Sequence, residues 1–239
     1  MKIKKITIVT AEDYYFGFPT IERLLKKNSK NIQSVIVVEG FFSIKRIFYL
    51  ILMFNPLFLL KKFFNSKKNK KNLNKIFKKK NVNFFFIKNI NSHKTINFLK
   101  KQNSTSLVIL SCPQILKKKI LSIKKENVNY HCSNLPRNRG LFPIFYEYIS
   151  SNGKKLFCNL HYMNEKIDDG RIINFKIIKK DKFYLSKMYE EAFIQFEIIL
   201  RDFLINKFRY KKNDRSLRSY NSYPKIINFV NYYKILLFS

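Results

Sequence analysis

Short runs of β-branched and aromatic residues alternate with helix-patterned stretches along most of the chain, and this alternation constrains the fold more than any other feature. Residues 3–10 (IKKITIVT) read as a strand, 18–28 as a helix with Pro19 near its start, and 32–38 (IQSVIVV) as a second strand. Strands follow at 82–87 and 106–111, separated by a helix over 92–102, and a helix containing Ile115, Leu116 and Ile120 leads to a strand at 127–132. A helix over 142–151, strands at 156–163 and 171–178, and a long helix over 184–208 complete the series. Strands that alternate with helices pair in parallel, because each helix carries the chain back across the sheet. The expectation is an α/β, Rossmann-like fold, a mostly parallel sheet flanked by helices over residues 1–208, with 209–239 as a short C-terminal extension. At 46% apolar residues the 239-residue chain can fill such a core and is too hydrophobic to stay disordered. No GxGxxG follows the first strand, which argues against dinucleotide binding by that route. The junction Ala11 to Gly17 holds one glycine and two carboxylates, Glu12 and Asp13, a poor cradle for phosphate.

Between the second and third strands, residues 47–60 (IFYLILMFNPLFLL) carry no charge over fourteen positions and are flanked by Lys45-Arg46 and Lys61-Lys62. The run is shorter than the roughly 20 apolar residues that span a bilayer, and Asn55 and Pro56 interrupt it. Two readings stand: a packed or partly exposed helix broken at Pro56, or an interfacial helix on anionic lipid, which makes 41–64 a candidate peripheral membrane contact. In 61–80, ten of twenty residues are Lys, by default a solvated, mobile excursion. The whole chain has 48 Lys+Arg against 15 Asp+Glu, a formal net charge of +33, but 39 of those cations are Lys and only 9 are Arg. Lys, Asn, Ile and Phe all have A/T-rich codons, so compositional drift accounts for the balance ahead of selected nucleic-acid binding. Arg, the better phosphate and base reader, is scarce, and nucleic acid is not an expected partner. Cys112, Cys132 and Cys158 are odd in number and widely spaced, which argues against a disulfide framework and a zinc site; no metal is expected. The start, MKIKKITIVTAED, lacks a signal-peptide apolar run, and a cytoplasmic location is expected.

Two of the three histidines, His131 and His161, lie in the second half. If Asn129-Tyr130-His131-Cys132-Ser133 is a strand, Asn129, His131 and Ser133 share one face and Tyr130 and Cys132 the other. That weakens a Cys–His dyad and lines the strand's carboxyl end, where open α/β sheets bind ligands, with an amide, an imidazole and a hydroxyl. Taken alone, such a histidine is more often a satisfied structural residue. Downstream, Met163-Asn164-Glu165-Lys166-Ile167-Asp168-Asp169-Gly170 interrupts two strand-like stretches, and its Asp-Gly is the ordinary signal of a hairpin turn.

Together these pieces resemble one family. NYHCSNLPRNRGLFPIFYEYI is similar to the N-x-H-x-S-x-L-P-x-x-R-G-x-x-P signature of formyltetrahydrofolate-dependent formyltransferases, and MNEKIDDGRII to their downstream M-[DN]-x-x-[IL]-D-x-G-x-[IL]-I segment, at the family's spacing. LVILSCPQILKKKIL resembles the strand and helix that precede the signature. The resemblance covers about residues 80–180 well and the first 40 by pattern. It implies the formyltransferase fold and a formyl donor, 10-formyltetrahydrofolate, as the one cofactor-like ligand, without metal. Carried over residue by residue, the catalytic positions are Asn129, His131 and Asp168. Gln114, Ile115, Leu116 and Ile167 fall where the family binds folate, though ordinary core is the commoner reading for the three aliphatic residues taken singly. Ser133, Arg139 and His161 are candidates to meet the acceptor. Formyl transfer from a tertiary nitrogen to an amine passes through a tetrahedral oxyanion, which an amide or imidazolium can stabilise while the imidazole moves the proton and the carboxylate orients it.

Phe157-Cys158-Asn159-Leu160-His161 departs from the family's G-[VT]-[TS]-x-H, and Asn134 replaces the usual Leu after Ser133. Methionyl-tRNA formyltransferases add a second β-barrel domain, for which 209–239 is too short. Glycinamide ribonucleotide formyltransferases carry a glycine-rich phosphate loop near the N-terminus that this sequence lacks. Tyr220-Asn221-Ser222-Tyr223-Pro224-Lys225 resembles the Y-x-x-[YF]-P segment of enzymes that formylate nucleotide-linked amino sugars for surface polysaccharide. The expected partners are therefore a folate donor and a small-molecule amine, with a homodimer left open. A methionyl-tRNA or glycinamide ribonucleotide formyltransferase-like enzyme, a formyltetrahydrofolate hydrolase with water as acceptor, and a non-catalytic basic protein that binds nucleic acid or a membrane surface are the competing expectations.

Overall fold

A computed structural model of the chain describes residues 4–40, 43–211 and 215–238. The chain builds β1 (Ile6–Ala11), α1 (Gly17–Asn28) and β2 (Ile32–Val38), leaves the sheet for α2 (Ile44–Met53) and α3 (Pro56–Lys80), and returns as β3 (Asn83–Ile87). After α4 (His93–Lys101) come β4 (Ser106–Ile109), the short α5 (Lys118–Leu121) and β5 (Glu126–His131). Then follow β6 (Arg139–Gly140), α6 (Pro143–Ser150), β7 (Lys155–Tyr162), β8 (Ile172–Lys179), α7 (Leu185–Leu204), β9 (Tyr220–Asn221) and α8 (Ile226–Phe238).

Seven strands form one sheet in the order β3-β2-β1-β4-β5-β7-β8. The first five are parallel, and β7 runs antiparallel to both β5 and β8. The strands β1 and β4 are buried along their whole length and mostly apolar, with only Thr7, Thr10 and Ser106 as polar members, because helices cover both faces. One face packs Ile6, Ile8, Leu24, Phe196 and Phe203 with α1 and α7; the other packs Val9, Ile36, Leu99, Leu107 and Ile120 with α4 and α5. The order reverses between β1 and β4, which opens a crevice beyond the carboxyl ends of the central strands.

The expected α/β architecture is present, with most boundaries within two residues of the sequence reading. Ile3 of the first strand, residues 41 and 42 of the 41–64 segment, and 212–214 and 239 of the extension lie outside the described residues. The chain breaks between Met53 and Pro56, as Pro56 implies, and Pro56 then opens α3, where its missing N–H costs nothing. Residues 61–80 are a correction: they continue α3 to Lys80 rather than forming an unstructured excursion. Lys is a good helix former, and buried Phe77 stacks on Phe84 of β3 at 4.0 Å, pinning the helix near its end. Ile115 and Leu116 are also corrected: they lie in an irregular loop before α5. Asn91 donates to the Ile115 carbonyl (2.9 Å) and accepts from the Lys117 N–H (2.8 Å), offering this backbone an alternative to helix. The extension carries structure of its own. Strand β9 pairs with β6, and α8 packs on α6 through Phe145, Phe229 and Tyr232. Among the described residues no helix is long and apolar enough to cross a membrane.

Candidate active site

Strand β5 ends at the crevice, and its alternation does what the sequence predicts. Tyr130 and Cys132 turn into the core with Phe196, while Asn129 and His131 face the opposite side. Next to β5 lies β7, antiparallel, with Asn129 in register with His161. The loop 163–171 returns between β7 and β8 and brings Asp168 over this pair. The Asp168-Asp169-Gly170 run thus sits in a long loop rather than in a tight hairpin. Asp168 has a left-handed backbone, φ +49, which costs a non-glycine residue about 1–2 kcal/mol. The carboxylate holds it there. Oδ1 accepts from Asn129 Nδ2 at 3.0 Å, and Oδ2 accepts from the Gly140 N–H at 2.9 Å.

The imidazoles are oriented by backbone carbonyls. His161 Nδ1 lies 2.9 Å from the Tyr162 carbonyl, so it carries the proton and Nε2 is left to accept. Asn129 Nδ2, 3.2 Å from that Nε2, therefore donates to both His161 and Asp168, which fixes the amide's orientation. His131 Nε2 lies 3.0 Å from the Asn138 carbonyl and donates to it. His131 Nδ1 then faces Asp168 Oδ2 at 3.5 Å, beyond a direct hydrogen bond but within reach of an ion pair once protonated. Burial pushes His131 toward the neutral form, with Asp168 and the Asn138 carbonyl opposing. Burial alone would raise Asp168. Once an imidazole is protonated, its charge together with the Gly140 N–H outweighs burial and holds the carboxyl well below the usual carboxylate range. The arrangement is a buried carboxylate, kept ionised, beside an imidazole with one nitrogen open to a proton.

Not all candidate residues gather here. His161 lines a cleft of about 450 Å³ together with Asn129, His131, Asp168, Ile115 and Ile167. Leu116 also touches the cleft but is mostly core. Gln114 also lines the cleft, but its side-chain amide is spent on the β3–α4 loop, accepting from the Ile90 N–H (2.9 Å) and donating to the Lys88 carbonyl (2.6 Å). Ser133 is fully buried and donates to the Asn138 carbonyl (3.0 Å), the group that also holds His131. Arg139 reaches the Ile167 carbonyl (3.5 Å) and Asp169 (3.6 Å), so it braces the Asp168 loop. Ser133 and Arg139 thus stand behind the cleft, because a neighbouring loop already claims their donors.

Sequence reasoning missed the groups that clamp the site through the backbone. The Gly140 N–H and the Asn138 carbonyl have no side-chain signature. Gly140 sits at φ +97, and a Cβ there would run into the Asn221 carbonyl of β9. Arg218, which holds Asp169 at 2.6 Å, comes from the extension. The departures are accommodated: Phe157 is half-buried beneath Lys211 (5.4 Å), and Asn134 accepts from Lys211 (2.8 Å). At the first βα junction the Asp13 carboxylate accepts from Tyr15 (2.8 Å), Phe16 (3.2 Å) and Gly17 (2.9 Å). A side chain thus occupies the α1 N-terminus, where a phosphate would otherwise bind. On the far face of β5, a mainly apolar cavity of about 180 Å³ lies between Ala11, Phe16, Leu50, Cys132 and Tyr189 and shares Leu110 to Pro113 with the cleft. Burial pushes the Cys112 thiol up to about 11, so it is no nucleophile at neutral pH. Among the described residues no His/Cys/Asp/Glu group is arranged to hold a metal ion.

Comparison with known proteins bears on the family and the fold. A family model described as Formyl transferase matches residues 62–197, more than half of the chain. A curated methionyl-tRNA formyltransferase from Finegoldia magna is 32% identical over 121 residues, 50% of this chain but 37% of the relative. The chain thus spans well under two thirds of that relative's length. A solved sugar N-formyltransferase from Shewanella sp FDAARGOS_354 superposes with a TM-score of 0.60 at 16% identity, covering 97% of this chain and 88% of that one. An N-formyltransferase from Helicobacter canadensis, solved in complex with folinic acid and dTDP-3-aminofucose, gives 0.57 at 15% identity, covering 99% and 81%. At these identities the likeness to the two structures is one of fold.

Proposed function

The chain belongs to the formyl transferase family, and on that premise we propose that it moves a formyl group from 10-formyltetrahydrofolate to a primary amine, that of a nucleotide-linked amino sugar. The observation that carries the reading is the convergence of Asn129, His131 and Asp168 at one end of the cleft. The donor supplies an N-formyl carbon. The acceptor nitrogen bonds to that carbon, the bond to the donor nitrogen breaks, and one proton passes from the acceptor nitrogen to the donor nitrogen.

The cleft suits a flat, partly apolar donor. Ile115 is 64% exposed there, an apolar side chain with no core to explain it. Ile167 and Met163 line the same cleft. His131, kept neutral by burial, takes up the amine proton at Nδ1, and Asp168 pairs with the cation that results. Asn129 turns its amide N–H groups, held at rest by Asp168 and His161, toward the charge that develops on the formyl oxygen. Ser133 and Arg139 keep the two loops in register.

The acceptor class rests on three supports. The α1 N-terminus is already capped by Asp13, which disfavours a ribonucleotide phosphate at that junction. The Tyr220-to-Pro224 segment pairs with Arg139-Gly140 beside the cleft. One neighbour in fold is named as a sugar N-formyltransferase, and another is an N-formyltransferase solved in complex with dTDP-3-aminofucose. The test is turnover of formyltetrahydrofolate to tetrahydrofolate with a panel of nucleotide-linked amino sugars, with initiator methionyl-tRNA, with glycinamide ribonucleotide and with no amine. Release that depends on an amino sugar is expected. Release that depends on tRNA or on the ribonucleotide would replace the acceptor, and amine-independent release would make the protein a hydrolase.

A further inference from the structure

Between Glu39 and Glu126 the sequence contains no Asp or Glu, and none follows Asp214. The carboxylates concentrate elsewhere, eight of them from Glu165 to Asp202. Compositional drift raises Lys everywhere but does not by itself sort carboxylates into one part of the fold. The two carboxylate-free segments contain α2, α3 and α8, and the fold brings α2 and α8 together. Tyr232 and Tyr233 of α8 donate to the Met53 and Leu52 carbonyls at 2.8 Å each, and Phe229 stacks on Tyr49.

Each of these helices turns an apolar stripe outward at helical spacing. On α2 the stripe is Ile44, Ile47, Phe48 and Ile51; on the first turns of α3 it is Leu57, Leu60 and Phe64; on α8 it is Ile226, Val230, Tyr233 and Leu237. All are at least 40% exposed, and Ile44 and Ile226 exceed 80%. Fifteen of the twenty-three exposed large apolar side chains among the described residues belong to 44–64 and 226–238. Isolated exposed apolar residues need no explanation, but stripes on three helices, two of them in contact, do. Lys45, Lys61, Lys225 and Lys234 border them, and the rest of the Lys-rich α3 runs on from there.

We propose that this face docks on an anionic lipid bilayer, the apolar stripes entering the headgroup boundary and the lysines meeting lipid phosphates. The charge pattern chooses the occupant. A second copy of the chain would press two carboxylate-free, lysine-bordered faces together, whereas an anionic surface complements both features at once.

The test is co-sedimentation of the full chain with phosphatidylcholine vesicles, with and without phosphatidylglycerol, at low and high salt. Binding that needs phosphatidylglycerol and falls with salt is expected. A variant carrying Phe48→Gln, Ile51→Gln, Ile227→Gln and Leu237→Gln, all exposed positions, should bind at least about tenfold more weakly with an unchanged circular dichroism spectrum. A second variant with Lys45, Lys61, Lys225 and Lys234 changed to Gln should lose the salt-dependent part. Absence of binding, equal binding to neutral vesicles, or binding insensitive to the apolar substitutions would overturn the proposal. So would a stable dimer in ultracentrifugation that the apolar variant dissolves.

Discussion

The cleft end of β5 and the flank built from α2, α3 and α8 are stabilised in opposite ways. At the cleft, Asp168, Asn129 and His161 each make two hydrogen bonds to one another or to backbone groups, and His131 is held by the Asn138 carbonyl with Asp168 at 3.5 Å. On the flank, helices form from local propensity and are tied to the body at aromatic points, Phe77 on Phe84 and Phe229 on Phe145 among them. Dense polar networks preorganise chemistry and tolerate no change, whereas sparse attachments leave a surface free to meet something else.

The largest expected effect lies in the network. His131→Ala and Asp168→Asn should each lower formyl transfer at least about a hundredfold in single-turnover assays while the circular dichroism spectrum is kept. Near-normal turnover in either would remove that residue from the mechanism. Phe77→Ala probes the other region. Truncating a buried phenylalanine costs on the order of 3 kcal/mol, and here the loss should appear as faster amide exchange over 56–80 with turnover retained. Exchange that quickens across β4 and β5 instead would mean that the flank is part of the cooperative core. Gly140→Ala tests the clamp, since it strains a φ of +97 and meets the Asn221 carbonyl. A cost of roughly 2 kcal/mol and a fall in turnover are expected, whereas Gly40→Ala, at φ +87 with nothing within 4 Å, should cost only the conformational strain, about 1 kcal/mol.

The smallest effect is a pH dependence. Burial lowers the folded-state pKa of His131, so below an unfolded value of about 6.5 the unfolded chain binds a proton that the folded one refuses. Stability should therefore fall as the pH drops from 6.5, by at most about 1.4 kcal/mol for each pH unit until the folded imidazole also protonates. Asp168, depressed in the fold, adds a second loss below about pH 4, where the unfolded carboxyl protonates first. Urea midpoints for the wild type and His131→Asn between pH 7 and 5 read the first loss; identical slopes would mean that the imidazole is protonated in the fold.

Much of the sheet and part of the site are legible in the sequence. The period-two alternation of Asn129 to Cys132 assigns the faces of β5, and two spaced motifs bring Asp168 to them. The loop before α5 is not legible, because Ile115, Leu116 and Ile120 have helical spacing while Asn91, more than twenty residues away, satisfies the backbone instead. Ser133 and Arg139 look like ligands in a motif and serve as braces in the fold, since only the placement of Asn138, Ile167 and Asp169 shows where their hydrogen bonds go.

By itself the sequence determined the α/β class, the faces of β5, the break at Pro56 and the family signature. Each depends on spacing along one short stretch of chain. The tertiary structure decided the tautomers of the two histidines, the ionised state of Asp168, the glycine requirement at 140 and the junction of α2 with α8. Those depend on burial and on partners that only folding brings within about 3 to 4 Å, and desolvation and hydrogen-bond energies act over just that range.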